Sequence, residues 1–89
     1  MDLEKRIQER FGNLNNNELE IIKTLLVKYI IITAVSHTPE NQVSKIEEKV
    51  AVTDFTKFDN FEVLFNSIFP LQSEKLEVYI NNFMETYGK

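Results

Sequence analysis

The chain has 89 residues, no cysteine and a formal net charge of −4. This length suits one domain, and the lack of cysteine excludes disulfide bonds, a thiolate nucleophile and a cysteine zinc site. Hydrophobic residues make up 43% of the chain and charged residues 27%, which predicts a folded globular domain, and we expect it in the cytoplasm. The acidic balance disfavours nucleic acid as a partner, because binding to phosphates needs a surplus of lysine and arginine.

The first predicted element is a short amphipathic helix. Its apolar residues Leu3, Ile7 and Phe11 are four positions apart, which places them on one helical face. Asp2 can cap the amino end, and Gly12 can adopt the left-handed conformation that often ends a helix. The spacing therefore predicts a helix between Asp2 and Gly12.

The second predicted element is the longest, over residues 16–35. Asn15 and Glu18 have the spacing of a capping box, in which each side chain bonds the other residue's backbone amide. Towards its carboxyl end the apolar residues point in every direction around the helix, which predicts a helix buried on all sides. Charged residues interrupt the segment too often for a membrane-spanning helix.

An alternative stays open for the same segment, because its β-branched residues favour strands. In that alternative, residues 29–36 form a strand that pairs with residues 50–55 in a hairpin, and the fold class is α+β. The helix is favoured because no glycine, proline or asparagine separates residues 29–36 from the helical pattern before them.

Two further helices follow in the middle of the chain. Thr38 and Pro39 have the residue types of an N-cap and a first helical position, and apolar residues then recur every three or four positions up to Val50. The clearest amphipathic pattern runs from Phe61 to Phe69, where apolar residues recur at helical spacing. We expect its three phenylalanines to fill the core.

The last predicted helix begins after Pro70, which ends the helix before it. Ser73 is the expected N-cap, and an apolar stripe continues until Gly88. Together the patterns predict an all-α fold, a compact bundle of four to five short helices around a central buried helix, in one domain over residues 1–89.

The small numbers of glycine and histidine argue against an enzyme, a metal site or a cofactor. Gly12 and Gly88 are the two glycines of the chain, too few for a loop that cradles phosphates. His37 is the one histidine, and with Glu40 it offers two metal ligands where a useful site needs three or four. We therefore predict no catalytic residue and no cofactor.

By elimination, the sequence predicts a small acidic protein–protein interaction module. It would act as an inhibitor, an immunity- or antitoxin-like factor or an adaptor, by occluding the basic surface of another protein. Acidic residues would steer the partner and two phenylalanines would anchor it, although a solvated helix face also explains the acidic residues. The predicted partner-binding residues are Glu40, Glu47, Glu48, Asp54, Phe55, Phe58 and Asp59.

Two other classes of function stay open. Residues 44–58 partly fit a helix-turn-helix, in which Thr53 and Thr56 would open a recognition helix of a DNA-binding regulator. The segment is not basic, which weakens that interpretation. A homodimer is the third class, because a central helix that is apolar on every side can leave surface for self-association.

Overall fold

Five α-helices, joined by loops and short 3₁₀ turns, form the part of the chain that the computed structural model describes, residues 3–55 and 60–88. Within these ranges there is no strand, so the predicted all-α bundle is confirmed and the hairpin alternative for residues 29–36 and 50–55 is wrong. The helices are α1 (Leu3–Phe11), α2 (Asn16–Ser36), α3 (Val43–Val52), α4 (Phe61–Ile68) and α5 (Leu76–Tyr87).

The start and end of α2 follow the local chemistry of the sequence. The Asn15 side chain accepts a hydrogen bond from the Glu18 amide at 2.8 Å, and the Glu18 carboxylate accepts one from the Asn15 amide at 3.0 Å. The predicted capping box is therefore confirmed. At the other end, His37 is the C-cap, and its Nδ1 donates to the Thr33 carbonyl at 2.8 Å.

One face of α2 forms the centre of the core. Leu26, Ile30 and Ala34 are completely buried where α2 packs against its neighbours α1, α3 and α5. The prediction that α2 is buried on all sides is wrong, because Ile21 and Ile32 on the opposite face are 60% and 69% exposed. The described helices cover one side of this helix, which is about 31 Å long, and leave the other side open.

Helices α1 and α5 lie beside each other and hold polar contacts at the surface. The Arg6 guanidinium forms an ion pair with Glu77 at 2.9 Å and donates to the Asn81 side chain at 2.9 Å. Further along, Arg10 donates to the Met84 carbonyl at 3.3 Å, next to the end of α5. These contacts fix the first and last helices on the same side of α2.

Lys23 links α1 to α2. Its ammonium group forms ion pairs with Glu4 of α1 and with Glu20 one turn earlier in α2. Burial opposes the charge of Lys23, but the two carboxylates outweigh that penalty and raise its pKa above the usual 10.5. Lys23 therefore stays charged at neutral pH.

Two predicted helix starts, at Thr38 and at Ser73, need correction. Thr38 is not an N-cap of α3: its hydroxyl donates to the Ala34 carbonyl at 2.8 Å, and a 3₁₀ turn at Glu40–Gln42 precedes α3. Ser73 is not the N-cap of α5, because it lies inside a second 3₁₀ segment, Pro70–Lys75.

The second 3₁₀ segment inserts a polar side chain into the core. Gln72 is buried, and its Nε2 donates to the Ala34 carbonyl at 2.9 Å and to the Thr38 hydroxyl at 3.3 Å. The Tyr79 hydroxyl donates to Gln72 Oε1 at 2.6 Å, and burial raises the pKa of Tyr79, which keeps this hydroxyl protonated. The Gln72 amide thus joins the end of α2 to α5.

None of the helices in the described ranges is both long and apolar enough to cross a membrane.

Candidate interaction surface

The predicted acidic residues of α3 and of the 3₁₀ turn before it do not form a one-sign surface. Glu40, Glu47 and Glu48 are all exposed, as the sequence suggested. However, α3 also carries exposed Lys45 and Lys49, so two glutamates and two lysines leave this helix without net charge. A partner that approaches α3 therefore meets a mixed field, and its steering by α3 alone is weak.

The structure describes one of the two predicted phenylalanine anchors. Phe55 is partly buried against the core, with its ring centroid 6.1 Å from that of buried Phe61 in an edge-on arrangement. Its neighbour Asp54 is exposed. Phe58 and Asp59 lie outside the described residues. Because Phe55 already packs within the domain, it offers a partner less apolar surface than a free side chain would.

Three of the exposed large apolar side chains in the described residues lie instead on the open face of α2. Ile21 is 60% exposed, Leu25 48% and Ile32 69%, and these positions follow one another along the same side of the helix. Exposed Glu18 and Lys28 lie on that side as well. We name these five residues, which are spaced alternately three and four apart, the α2 stripe.

A surface hollow of about 330 Å³ opens beside the α2 stripe, where α2 meets α5. The rings of Tyr29 and Phe83 lie 5.6 Å apart, and Tyr87 packs on both, 6.2 Å from Tyr29 and 5.1 Å from Phe83. Tyr87 is itself 60% exposed, so it extends the apolar surface from α2 onto α5. We call the α2 stripe, Tyr29 and Tyr87 together the α2–α5 face. The residues that line the hollow are Leu25, Lys28, Tyr29, Ile32, Thr33, Phe83 and Tyr87.

A second hollow, of about 290 Å³, lies between α3 and the 3₁₀ segment before α5. Its apolar side includes Ile46 and Phe69, and Lys45 and Lys49 lie at its edge. Thr38 and Gln42 also line it, so its lining is more polar than that of the hollow beside the α2 stripe.

The other predicted features have structural explanations. His37 caps α2, with its ring 5.9 Å from that of Tyr79, and no group of three or more potential metal ligands occurs in the ranges the structure describes. In the helix-turn-helix segment, α3 ends at Val52, and Thr53 is extended, with its hydroxyl bonded to the Lys49 carbonyl. Residues 56–58 of that segment lie outside the described residues.

Sequence reasoning missed the α2–α5 face, although the signal is present. Residues 18, 21, 25, 28 and 32 repeat at the alternating spacing of a coiled-coil seam, and this seam lies opposite the buried side of the helix. A helix with two apolar sides is fully covered only when other helices pack on both sides. The other predicted helices are too few and too short to surround α2.

No protein-family model matches the chain, and neither curated proteins nor solved structures give a significant match. The geometry of the α2–α5 face therefore provides the functional argument.

Proposed function

We propose that this chain is a small protein–protein interaction module that binds through the α2–α5 face. It would act by occlusion, as an inhibitor, an immunity- or antitoxin-like factor or an adaptor. The observation that supports the proposal is the exposure of Ile21, Leu25 and Ile32 along one side of one helix. Contiguous exposed apolar surface of this kind marks interaction sites, because water contact with such side chains is unfavourable.

This face differs from the other exposed apolar residues because its apolar side chains are neighbours along one side of one helix. Val52, Val63, Leu71 and Val78 are 86%, 69%, 83% and 53% exposed, but each comes from a different element. Single exposed apolar side chains are normal on soluble proteins and need no partner. The α2–α5 face also offers a hollow lined by an aromatic pair, Tyr29 and Tyr87, which suits a projecting side chain of a partner.

The shape of the face favours a helical partner. Leu25, Lys28, Tyr29 and Ile32 line the hollow at spacings of three, four and seven residues, and four residues so spaced form the hole that accepts a side chain from a facing helix. The partner would therefore present an amphipathic helix with its apolar side towards α2.

The acidic residues take a secondary role in this proposal. The net charge of −4 favours approach of a basic partner, and Glu40, Glu47, Glu48 and Asp54 are exposed to contribute. Such charges at the rim change the association rate and its salt dependence more than they change the affinity.

The test is site-specific photo-crosslinking in the cell that produces the protein. A photoreactive residue replaces Ile32 in one variant and Val63 in the control, because the two side chains have the same 69% exposure. We expect one discrete cross-linked protein from position 32, lost on Ile21→Ser with Leu25→Ser, and none from position 63. Equal cross-linking at both positions, or none at 32, would contradict the proposed function.

A further inference from the structure

We infer that the partner of the α2–α5 face is a second copy of this chain, with the two α2 helices antiparallel across a two-fold axis near Lys23. This inference rests on the proposed function, since it names the partner for the same surface. The surface that the module occludes is then that of its own second copy, whose equal net charge of −4 opposes the association at long range. It follows from the order of charged and apolar residues along the α2 stripe.

The α2 stripe has the periodicity of a helix that pairs with another helix. Its five positions alternate in steps of three and four, as the a and d positions of a heptad do. The apolar members Ile21, Leu25 and Ile32 are all exposed, so the seam is open in the isolated chain. In an antiparallel pair, a positions of one helix face d positions of the other, and the stripe fits this arrangement.

The charges on the stripe are self-complementary in one register. When the axis passes near Lys23, Ile21 of each copy faces Leu25 of the other, which groups four apolar side chains at the centre. Glu18 of each copy then faces Lys28 of the other, because both lie five residues from residue 23. The pairing buries the apolar centre and places an ion pair on each side of it.

The neighbouring register is disfavoured by the same charges. A shift that places Ile21 opposite Ile32 brings the two copies of Lys28 close to the axis, where like charges repel. It also leaves Glu18 opposite apolar Val35, without a cation. The register near Lys23 avoids both costs, so charge selects one arrangement among those that apolar contact allows.

The expected association is weak and depends on concentration. One helix pair with a few flanking side chains is smaller than a standard interface, which buries about 800 Å² on each partner. We therefore expect monomer and dimer to exchange at micromolar concentrations. Analytical ultracentrifugation of the whole chain measures this equilibrium.

Charge reversal tests both the partner and the register. In Glu18→Lys both flanking contacts become lysine against lysine, and in Lys28→Glu both become glutamate against glutamate. We expect about tenfold weaker association for each variant, since two ion pairs are replaced by two repulsions. An equimolar mixture of the two variants restores both pairs and should form a heterodimer with the affinity of the natural chain.

Controls separate association from folding. Glu74→Lys in the second 3₁₀ segment and Lys49→Glu on α3 make the same charge changes at exposed positions away from α2 and should leave association unchanged. Glu18→Gln keeps a side chain that suits the capping box but removes the charge, so it should weaken association less than Glu18→Lys. Circular dichroism confirms that each variant remains helical.

Two outcomes overturn the inference: a natural chain that stays monomeric up to high micromolar concentration, or charge variants that do not recover on mixing. If the chain is monomeric but position 32 cross-links to a different protein, the homodimer is wrong and the proposed function stands. If neither position 32 nor position 25 cross-links to any protein, both are wrong.

Discussion

The two faces of α2 have similar side chains and opposite surroundings. On one face Leu26 and Ile30 are completely buried, while on the other Leu25 and Ile32 are 48% and 69% exposed. Leucine and isoleucine occur on both sides, so residue type does not decide which side becomes core. The position of α1 and α5 decides it, because they pack against one face only. The comparison shows that a helix can be central to a fold and still have an unused apolar face.

The substitution with the largest expected effect tests the core that packs against the inner face of α2. Phe65 is completely buried and stacks on Phe69 at a centroid distance of 5.1 Å. We expect Phe65→Ala to lower the free energy of unfolding by about 3–5 kcal/mol in denaturant melts. Val63→Ala on the same helix removes a side chain that is 69% exposed and should change it by less than about 0.5 kcal/mol.

A similar loss from both of these variants would show that α4 does not present the face described.

The next effect compares the two faces of α2 directly. Ile30→Ala and Ile32→Ala delete the same atoms two residues apart, from a side chain that is 0% exposed and from one that is 69% exposed. We expect a loss of about 2–5 kcal/mol at position 30 and less than about 0.5 kcal/mol at position 32 in dilute solution. Chemical denaturation at low micromolar protein concentration measures both.

If the second copy covers the open face in the register near Lys23, the cost of Leu25→Ala should grow as the protein concentration rises, because association stabilises the folded chain. Ile32 lies beyond the overlap of the two α2 helices in that register, so its cost should stay small. The cost at position 30 should stay constant over the same range.

The smallest expected effect concerns the buried hydrogen bond between Tyr79 and Gln72. Gln72→Met keeps the length of the side chain but leaves the Tyr79 hydroxyl without its acceptor, which should cost about 1–3 kcal/mol. Tyr79→Phe removes the other partner, so the double variant should lose less than the sum of the two single losses in a double-mutant cycle. Gln42→Met, at an exposed glutamine, is the matched control.

Additive losses in the double-mutant cycle would contradict the contact between Gln72 and Tyr79.

Features that depend on neighbouring residues were predictable from the sequence. The capping box of Asn15 and Glu18 needs only two side chains three positions apart, and the sequence identifies it together with the start of α2. The helical spacing of Phe61, Phe65 and Phe69 likewise predicts three core residues, which are all buried.

Features that depend on distant residues were not predictable in the same way. Thr38 has the type of an N-cap, but its hydroxyl accepts a hydrogen bond from Gln72, 34 positions away, and donates to the Ala34 carbonyl, while α3 begins at Val43. The open face of α2 depends on where α1 and α5 pack, which no local pattern encodes. No local pattern predicts the ring contact between Phe55 and Phe61, which leaves Phe55 partly buried, and its place at an interface stays a prediction.

The side-by-side placement of α1 and α5 has a consequence for synthesis and folding. Arg6 and Glu77, which bond across these helices, are separated by 71 positions in the chain. The inner face of α2 therefore stays exposed while the ribosome is still adding α5. The core can form completely only after residues near Met84 have been synthesised. Contacts of such long sequence separation cost more loop-closure entropy than local contacts and slow folding. A nascent chain that stops before α5 has two bare apolar sides on one helix, which makes it a natural target for chaperones.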